Sequence, residues 1–321
     1  MTNLMAAACI ACFGMGTAQA SLATLQTYIG NVGYSSDGFG STSQSGMISA
    51  LVPVGSTVLS AYLYTSTNGN STLSGVGGTL AGSAVTYTSL GTAGDSLTAG
   101  RTDVTSIIKP LIDGGAGGVY DFAITETSYS QDGEALVVVY SNPLLGISTV
   151  GIMDGFSTPS GDTTAINFAA PINPSAAGFS AEMILGVGFS CCSQASTVAV
   201  NGTTITTVAG NDDDGVGGTA NGALISVGGF DDAYSPLLPT YDADHERYDI
   251  AQYITAGDTS IALQTINPSG DDNIFLSVFK VTGVAAINAP APADVPEPGS
   301  LALFLIALLG MGCFARYVKP S

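Results

Sequence analysis

Val198-Ala199-Val200-Asn201-Gly202-Thr203-Thr204-Ile205 decides the fold class. Small, β-branched and hydroxyl residues flank a two-residue Asn-Gly. A tight hairpin turn of type I′ needs positive φ at both central positions, which Asn and Gly supply at least cost, so the stretch reads as a β-hairpin. Similar short runs recur on both sides of it, at 57–64, 84–87, 120–125, 135–140, 181–189, 197–200, 203–208, 260–265 and 274–281. They are rich in Val, Ile, Tyr, Phe and Thr, and Gly, Asn, Asp or Pro separates them. In 57–64, alternation places Val58, Ser60, Tyr62 and Tyr64 on one face and Leu59, Ala61 and Leu63 on the other. No stretch between 21 and 286 sustains a 3.6-residue period. With 42 Gly and 14 Pro among 321 residues, the chain suits many turns and short strands and excludes a helical bundle.

Outward from the hairpin, a repeat orders these strands. Arg101-Thr102-Asp103-Val104-Thr105-Ser106-Ile107-Ile108 parallels Arg247-Tyr248-Asp249-Ile250-Ala251-Gln252-Tyr253-Ile254. Each unit leads through a Gly-rich turn to an alternating strand, 119–125 or 259–265. An Asp-containing turn follows, Asp132-Gly133 in one copy and Asp271-Asp272-Asn273 in the other, and then a final apolar strand. The order predicts an all-β chain of two tandem antiparallel, jelly-roll-like β-sandwiches, residues 21–142 and 143–286. Asp103 and Asp249 are expected to cap a single helical turn, with Val104/Ile107 and Ile250/Tyr253 pointing into the core and Arg101 and Arg247 beside the capping carboxylates.

The two ends read as addresses. Residues 1–20 combine an apolar run, 4–13, with Ala18-Gln19-Ala20, so a secretory signal is cleaved before Ser21. No Lys or Arg precedes the apolar run. At the other end a Pro/Ala linker, 287–294, leads to Val295-Pro296-Glu297-Pro298-Gly299-Ser300, an apolar stretch at 299–315 and the basic Arg316 and Lys319. As a helix, 299–315 is at the short end of a membrane span. Its basic flank places the tail on the cytoplasmic side and the body outside.

Residues 295–320 resemble the PEP-CTERM sorting signal of Gram-negative bacteria. Pro296-Glu297-Pro298, the Gly-containing apolar helix and Arg316 carry the resemblance, with fewer basic residues than the arginine run many members have. The resemblance implies export through the Sec machinery and transient anchoring in the inner membrane with the body in the periplasm. It further implies recognition and removal of the tail by a membrane protease, the exosortase. The family is associated with exopolysaccharide and biofilm matrix. A plain, uncleaved C-terminal anchor is the alternative.

Composition narrows the chemistry of the body. Six Lys and Arg against 25 Asp and Glu give a formal net charge of −19, which repels phosphate backbones and excludes nucleic-acid binding. Hydrophobic residues at 45% exclude acidic disorder. His245 is the one histidine and is read as a solvent-exposed loop residue among acids; no nucleophile-elbow motif accompanies it in the body. Cys191 and Cys192 are the cysteines left between the two end segments. A strained vicinal disulfide, two free thiols and pairing between chains all remain open. Asn211-Asp212-Asp213-Asp214-Gly215 is the densest acidic turn, and Asp212 and Asp214 are candidate Ca²⁺ ligands; the alternative is a solvated turn. No catalytic residue is assigned. The leading reading is an exported surface or matrix protein with a structural, adhesive or glycan-contacting role. The alternative, a secreted polysaccharide-acting enzyme, needs two carboxylates about 5–9.5 Å apart. Its nominees are Glu126, Asp132, Glu134, Asp154 and Glu182.

Overall fold

A computed structural model describes residues 21–40, 43–69, 72–93, 97–189, 196–210, 225–267 and 273–283. Ala18 and Ala20, Cys191 and Cys192, Asp212 and Asp214, Asp271 and Asp272, the linker, and the tail with Val295, Pro296, Glu297, Pro298 and Arg316 lie outside the described residues.

The described chain is all-β, in antiparallel sheets. It opens with β1 (Ala23–Gly30), β2 (Val32–Phe39), β3 (Ser45–Val52) and β4 (Thr57–Thr67). Next come β5 (Gly77–Leu80), β6 (Ser83–Thr86), β7 (Thr88–Ala93) and β8 (Leu97–Asp103). A short helix α1 (Thr105–Ile112) precedes β9 (Gly118–Glu126) and β10 (Gln131–Ser141). The second half runs β11 (Ser148–Asp154), β12 (Asp162–Asn167), β13 (Ala181–Gly188), β14 (Ser196–Val200) and β15 (Thr203–Ala209). It closes with β16 (Ser226–Val227), β17 (Arg247–Asp249), β18 (Ser260–Ile266) and β19 (Asn273–Thr282).

The halves repeat strand for strand. The order β2-β10-β4-β8 in one sheet corresponds to β11-β19-β13-β17, and β3-β9-β5-β6 to β12-β18-β14-β15. The register repeats as well. Tyr62 pairs with Asp103 and Tyr64 with Arg101; Glu182 pairs with Asp249 and Ile184 with Arg247. The two Arg-x-Asp units therefore hold equivalent places.

Each unit ends in the predicted helical turn, α1 in one copy and a 3-10 turn, Ala251–Tyr253, in the other. Asp103 accepts the N–H of Thr105 at 2.8 Å, and Asp249 that of Ala251 at 3.0 Å. Val104 and Ile250 are buried, and Ile107 and Tyr253 pack against the core. The arginines depart from expectation. Arg101 pairs with Asp154 and Arg247 with Glu182, because the capping carboxylates turn back onto the backbone and leave the guanidinium groups to carboxylates of the other strands.

The apolar clusters show the layering. Val58, Ala61 and Leu63 of β4 and Leu136 and Val138 of β10 pack against Ile48, Phe122 and Ile124 of the facing sheet. The opposite faces of the same strands, through Tyr64, Ala135, Val137 and Val139, meet Val150, Ile152, Ile184 and Val278 of the second half. Met183, Val198, Ile261 and Phe279 fill the last interior. Two sandwiches thus stack through their inner sheets, and β10 is apolar on both faces because both are covered. β1 belongs to the second half's sheet, pairing with β11, so the 142/143 boundary separates the strand repeats but not the sheets.

Two local readings need correction. A bulge in β4 between Val58 and Ser60 turns Val58 to the side of Ala61 and Leu63 and leaves Leu59 41% exposed. The extra residue of a bulge reverses alternation beyond it. Asp132-Gly133 is not a turn but a bulge inside β10, at φ +138° for Gly133, where a Cβ would lie 2.1 Å from the carbonyl oxygen of Phe39.

Candidate functional site

A cleft of about 290 Å³ opens where the two halves meet. Tyr34 and Ser36 of β2 and Tyr140 of β10 line it from the first half, and Glu182 of β13, Arg247 of β17, Lys280 of β19 and the Gly229–Tyr234 loop from the second. Adjacent strands hold the charges in place. Glu182 sits opposite Asp249 on one side and Lys280 on the other, so Lys280 and Glu182 are cross-strand neighbours.

Glu182 is the hub. Its Oε2 accepts the Tyr234 hydroxyl at 2.6 Å and lies 3.5 Å from Arg247 Nη2; its Oε1 lies 3.9 Å from Lys280 Nζ. The Arg247 guanidinium stacks 4.7 Å from the Tyr234 ring centroid. Its Nη1 donates to the carbonyls of Gly229, Phe230 and Asp232 at 3.4, 3.1 and 2.8 Å. Arg247 is therefore committed to the wall through both terminal nitrogens. Burial opposes its charge, but Glu182 and the neighbouring phenols outweigh burial and raise its pKa.

The phenols are held protonated. Burial and then Glu182 push Tyr34 well above the ordinary tyrosine value. Burial first, helped by Glu182, pushes Tyr140 and Tyr234 to about 12. The cleft offers neutral hydroxyls and aromatic rings beside an ammonium group, a surface suited to a polyol with ring C–H faces.

Of the five acids nominated from the sequence, Glu182 alone lines this cleft. Asp154 is tied to Arg101 and accepts the Tyr64 hydroxyl at 3.1 Å, inside the contact between the inner sheets. Burial raises its pKa against the pull of Arg101. Glu126, Asp132 and Glu134 cluster at one end of the first sandwich. Glu126 and Glu134 lie side by side, and Glu134 Oε1 accepts from Gln131 at 3.0 Å and Tyr87 at 3.4 Å. Burial drives Glu134 well above the usual carboxylate range, Glu126 to about 8 and Asp132 to about 7.

His245 is half-buried rather than exposed. The acids flanking it fold inward, because Asp244 accepts the hydroxyls of Thr206, Ser235 and Tyr248, and Glu246 the N–H of Gly210 and the hydroxyl of Ser226. Among the described residues no group of three or more His, Cys, Asp or Glu is arranged to hold a metal ion. Sequence reasoning missed Tyr34, Tyr140, Tyr234 and Lys280. The one available signal was that Arg247 and Lys280 are two of only four bases in the body. Two larger grooves, about 470 and 460 Å³, lie on the β12-β18-β14-β15 side. The first is lined by Thr, Ser, Gly and aliphatic residues with Asp162 and Gln264, the second by polar side chains around Tyr253 with Asp258, and neither lining includes Lys or Arg.

No protein family and no curated protein matches the chain. Solved structures similar to it include BuGH86 crystallised with neoagarooctaose, in a substituted and a wild-type form, with TM-scores of 0.27 and 0.26. A β-porphyranase of glycoside hydrolase family 86 from the human gut bacterium Bacteroides plebeius gives a TM-score of 0.25. Each is 9% identical, over 82%, 82% and 85% of this chain. The chain spans about a third of the length of those proteins, 34% to 38%. A likeness of that size assigns neither fold nor function.

Proposed function

We propose that the protein is an exported surface or matrix protein that contacts glycan through the junction cleft. In this reading the body is a fused pair of jelly-roll-like sandwiches, delivered through the Sec machinery and sorted by the PEP-CTERM-like tail through an exosortase. The observation that carries it is the cleft itself, with three tyrosines, two serines, and Glu182 clamped between Arg247 and Lys280.

The placement of the acids favours binding over turnover. Glycoside hydrolysis uses two carboxyl groups set apart across a cleft. Here the lining holds one carboxylate, and that one is already occupied by two cations and a phenol. The Glu126–Glu134 pair is in direct mutual contact and buried.

The test is calorimetric titration of the full-length protein in detergent micelles with a panel of oligosaccharides, with product analysis of the same samples. Saturable binding without cleavage supports the proposal. Reducing-end release would replace it with the enzymatic reading, and absence of binding across the panel would remove the glycan role. Mass spectrometry of the mature protein tests the sorting half separately: a C-terminus near 296–298 is expected, and an intact 299–315 segment in surface material beside an active exosortase would overturn it.

A further inference from the structure

We infer that the saccharide unit seated in the junction cleft is acidic, and that Lys280 is the residue that takes its carboxylate. The inference rests on the glycan-contact reading and narrows its ligand class.

Four bases serve the body: Arg101, Lys109, Arg247 and Lys280. Arg101 has its own carboxylate in Asp154, and Lys109 its own in Asp113 at 2.7 Å. Arg247 and Lys280 share one, Glu182. In a chain of net charge −19, the lining of the cleft thus holds two cations and a single acid, with Asp232 on the adjoining loop within electrostatic reach of Arg247. The two are not equivalent. Arg247 spends its donors on three loop carbonyls and Glu182. Lys280 makes a single ion pair at 3.9 Å, too long for a hydrogen bond, and its side chain is 30% exposed. An ammonium carries three N–H donors. With Glu182 already supplied by Tyr234 and Arg247, those donors face the cleft beside Tyr34 and Tyr140. Asp231 and Asp232 lie on the loop that forms the far wall. The Asp232 carboxylate accepts the Gly229 N–H at 2.5 Å, and neither acid lines the cleft. An anion on the ligand, rather than a second protein carboxylate, is what completes the lysine.

A charge-assisted hydrogen bond to a carboxylate discriminates an acid from its neutral isostere. The experiment titrates the full-length protein with oligogalacturonate and with the same oligomer as its methyl ester, at two NaCl concentrations. The acid is expected to bind about tenfold more tightly than the ester, with an advantage that shrinks as salt rises. Lys280→Met is expected to remove the difference and Lys280→Arg to keep most of it, both with an unchanged thermal midpoint. Equal binding of acid and ester overturns the acidic specificity and leaves glycan contact standing. Binding of neither overturns the acidic specificity, and the glycan role then rests on the wider panel. A Lys280→Met protein that still prefers the acid shows that the lysine is not its contact.

Discussion

At the scale of single residues, the two copies of the repeat test each other. The Asn201-Gly202 turn has φ of +49° and +79°, as the sequence predicts, and its counterpart is Ala81-Gly82 with φ of +48° and +79°. Both first residues donate to an equivalent carbonyl, Ala123 for Ala81 and Ala262 for Asn201. Only Asn201 returns a side-chain acceptor, taking the N–H of Ala262 at 2.9 Å. Alanine bears a left-handed conformation at a cost that asparagine largely escapes. Ala81→Asn is therefore expected to stabilise the protein by about 0.5–1 kcal/mol and Asn201→Ala to destabilise it by at least as much, read from urea midpoints. The buried acids give a second prediction. Glu126 Oε1 and Glu134 Oε2 are buried without a donor, so the pair keeps a proton between them. Their folded pKa values lie above the unfolded ones, so the native state binds more protons. The stability they contribute is complete below about pH 4.5 and is lost as pH rises through about 8. Asp37 and Asp132, each raised to about 7 by burial, act in the same direction. The thermal midpoint should fall between pH 5 and pH 8.5, and Glu134→Gln, which supplies an N–H to Glu126, should flatten that fall. A midpoint that rises with pH would contradict the shared proton. Little of this was legible beforehand: Glu126 and Glu134 stood out only as two of five candidate carboxylates with no favoured pair, since nothing in a sequence tells which carboxyl a β-strand turns inward.

At the scale of elements, the sequence runs located nine strands and missed others of both kinds, the apolar β3 and β11 as well as the polar β2. The expected runs correspond to β4, β6, β9, β10, β13, β14, β15, β18 and β19. β2 reads Val32-Gly33-Tyr34-Ser35-Ser36-Asp37-Gly38-Phe39 and carries no strand signature. It is buried because its hydroxyls and carboxylate satisfy backbone elsewhere. Ser35 takes the N–H of Leu51 at 2.9 Å, Asp37 that of Ser49 at 2.5 Å, and Ser36 donates to the carbonyl of Gly228 at 2.6 Å. Side chains of β2 thus cover the open edge of β3, a pairing that no local pattern announces. Two of the cleft residues, Tyr34 and Ser36, were missed for that reason. The Asp-x-x motif, by contrast, was legible because its effect is local, within two residues of the carboxylate. Asp103→Ala and Asp249→Ala are each expected to cost about 1 kcal/mol, additively, since the sites lie in different sandwiches. Chemical denaturation of the single and double variants measures this, and a markedly unequal pair would mean that the two turns are not equivalent.

At the scale of the molecule, the interior between the two inner sheets makes the halves interdependent. Ile152 is fully buried there among Val137, Val139 and Val278. Ile152→Ala is expected to cost about 2–5 kcal/mol. It should lower one calorimetric transition for the whole body; two separated transitions would show sandwiches that melt independently. β1 carries a different kind of consequence. Its hydrogen-bond partner is β11, with Tyr28 opposite Val150 and Ile29 opposite Thr149, and the entire first sandwich lies between them in the chain. A polypeptide is made from its N-terminus, so the earliest strand to emerge is among the last to find its place. Until then Leu25 and Tyr28 travel as an unclaimed ribbon beside a sheet face, Ala135, Val137 and Val139, that is itself still bare. A nascent chain halted after Ser141 should therefore cling to holdase chaperones, and one extended past Asp154 should let go, with β11 as the latch that ends the wait.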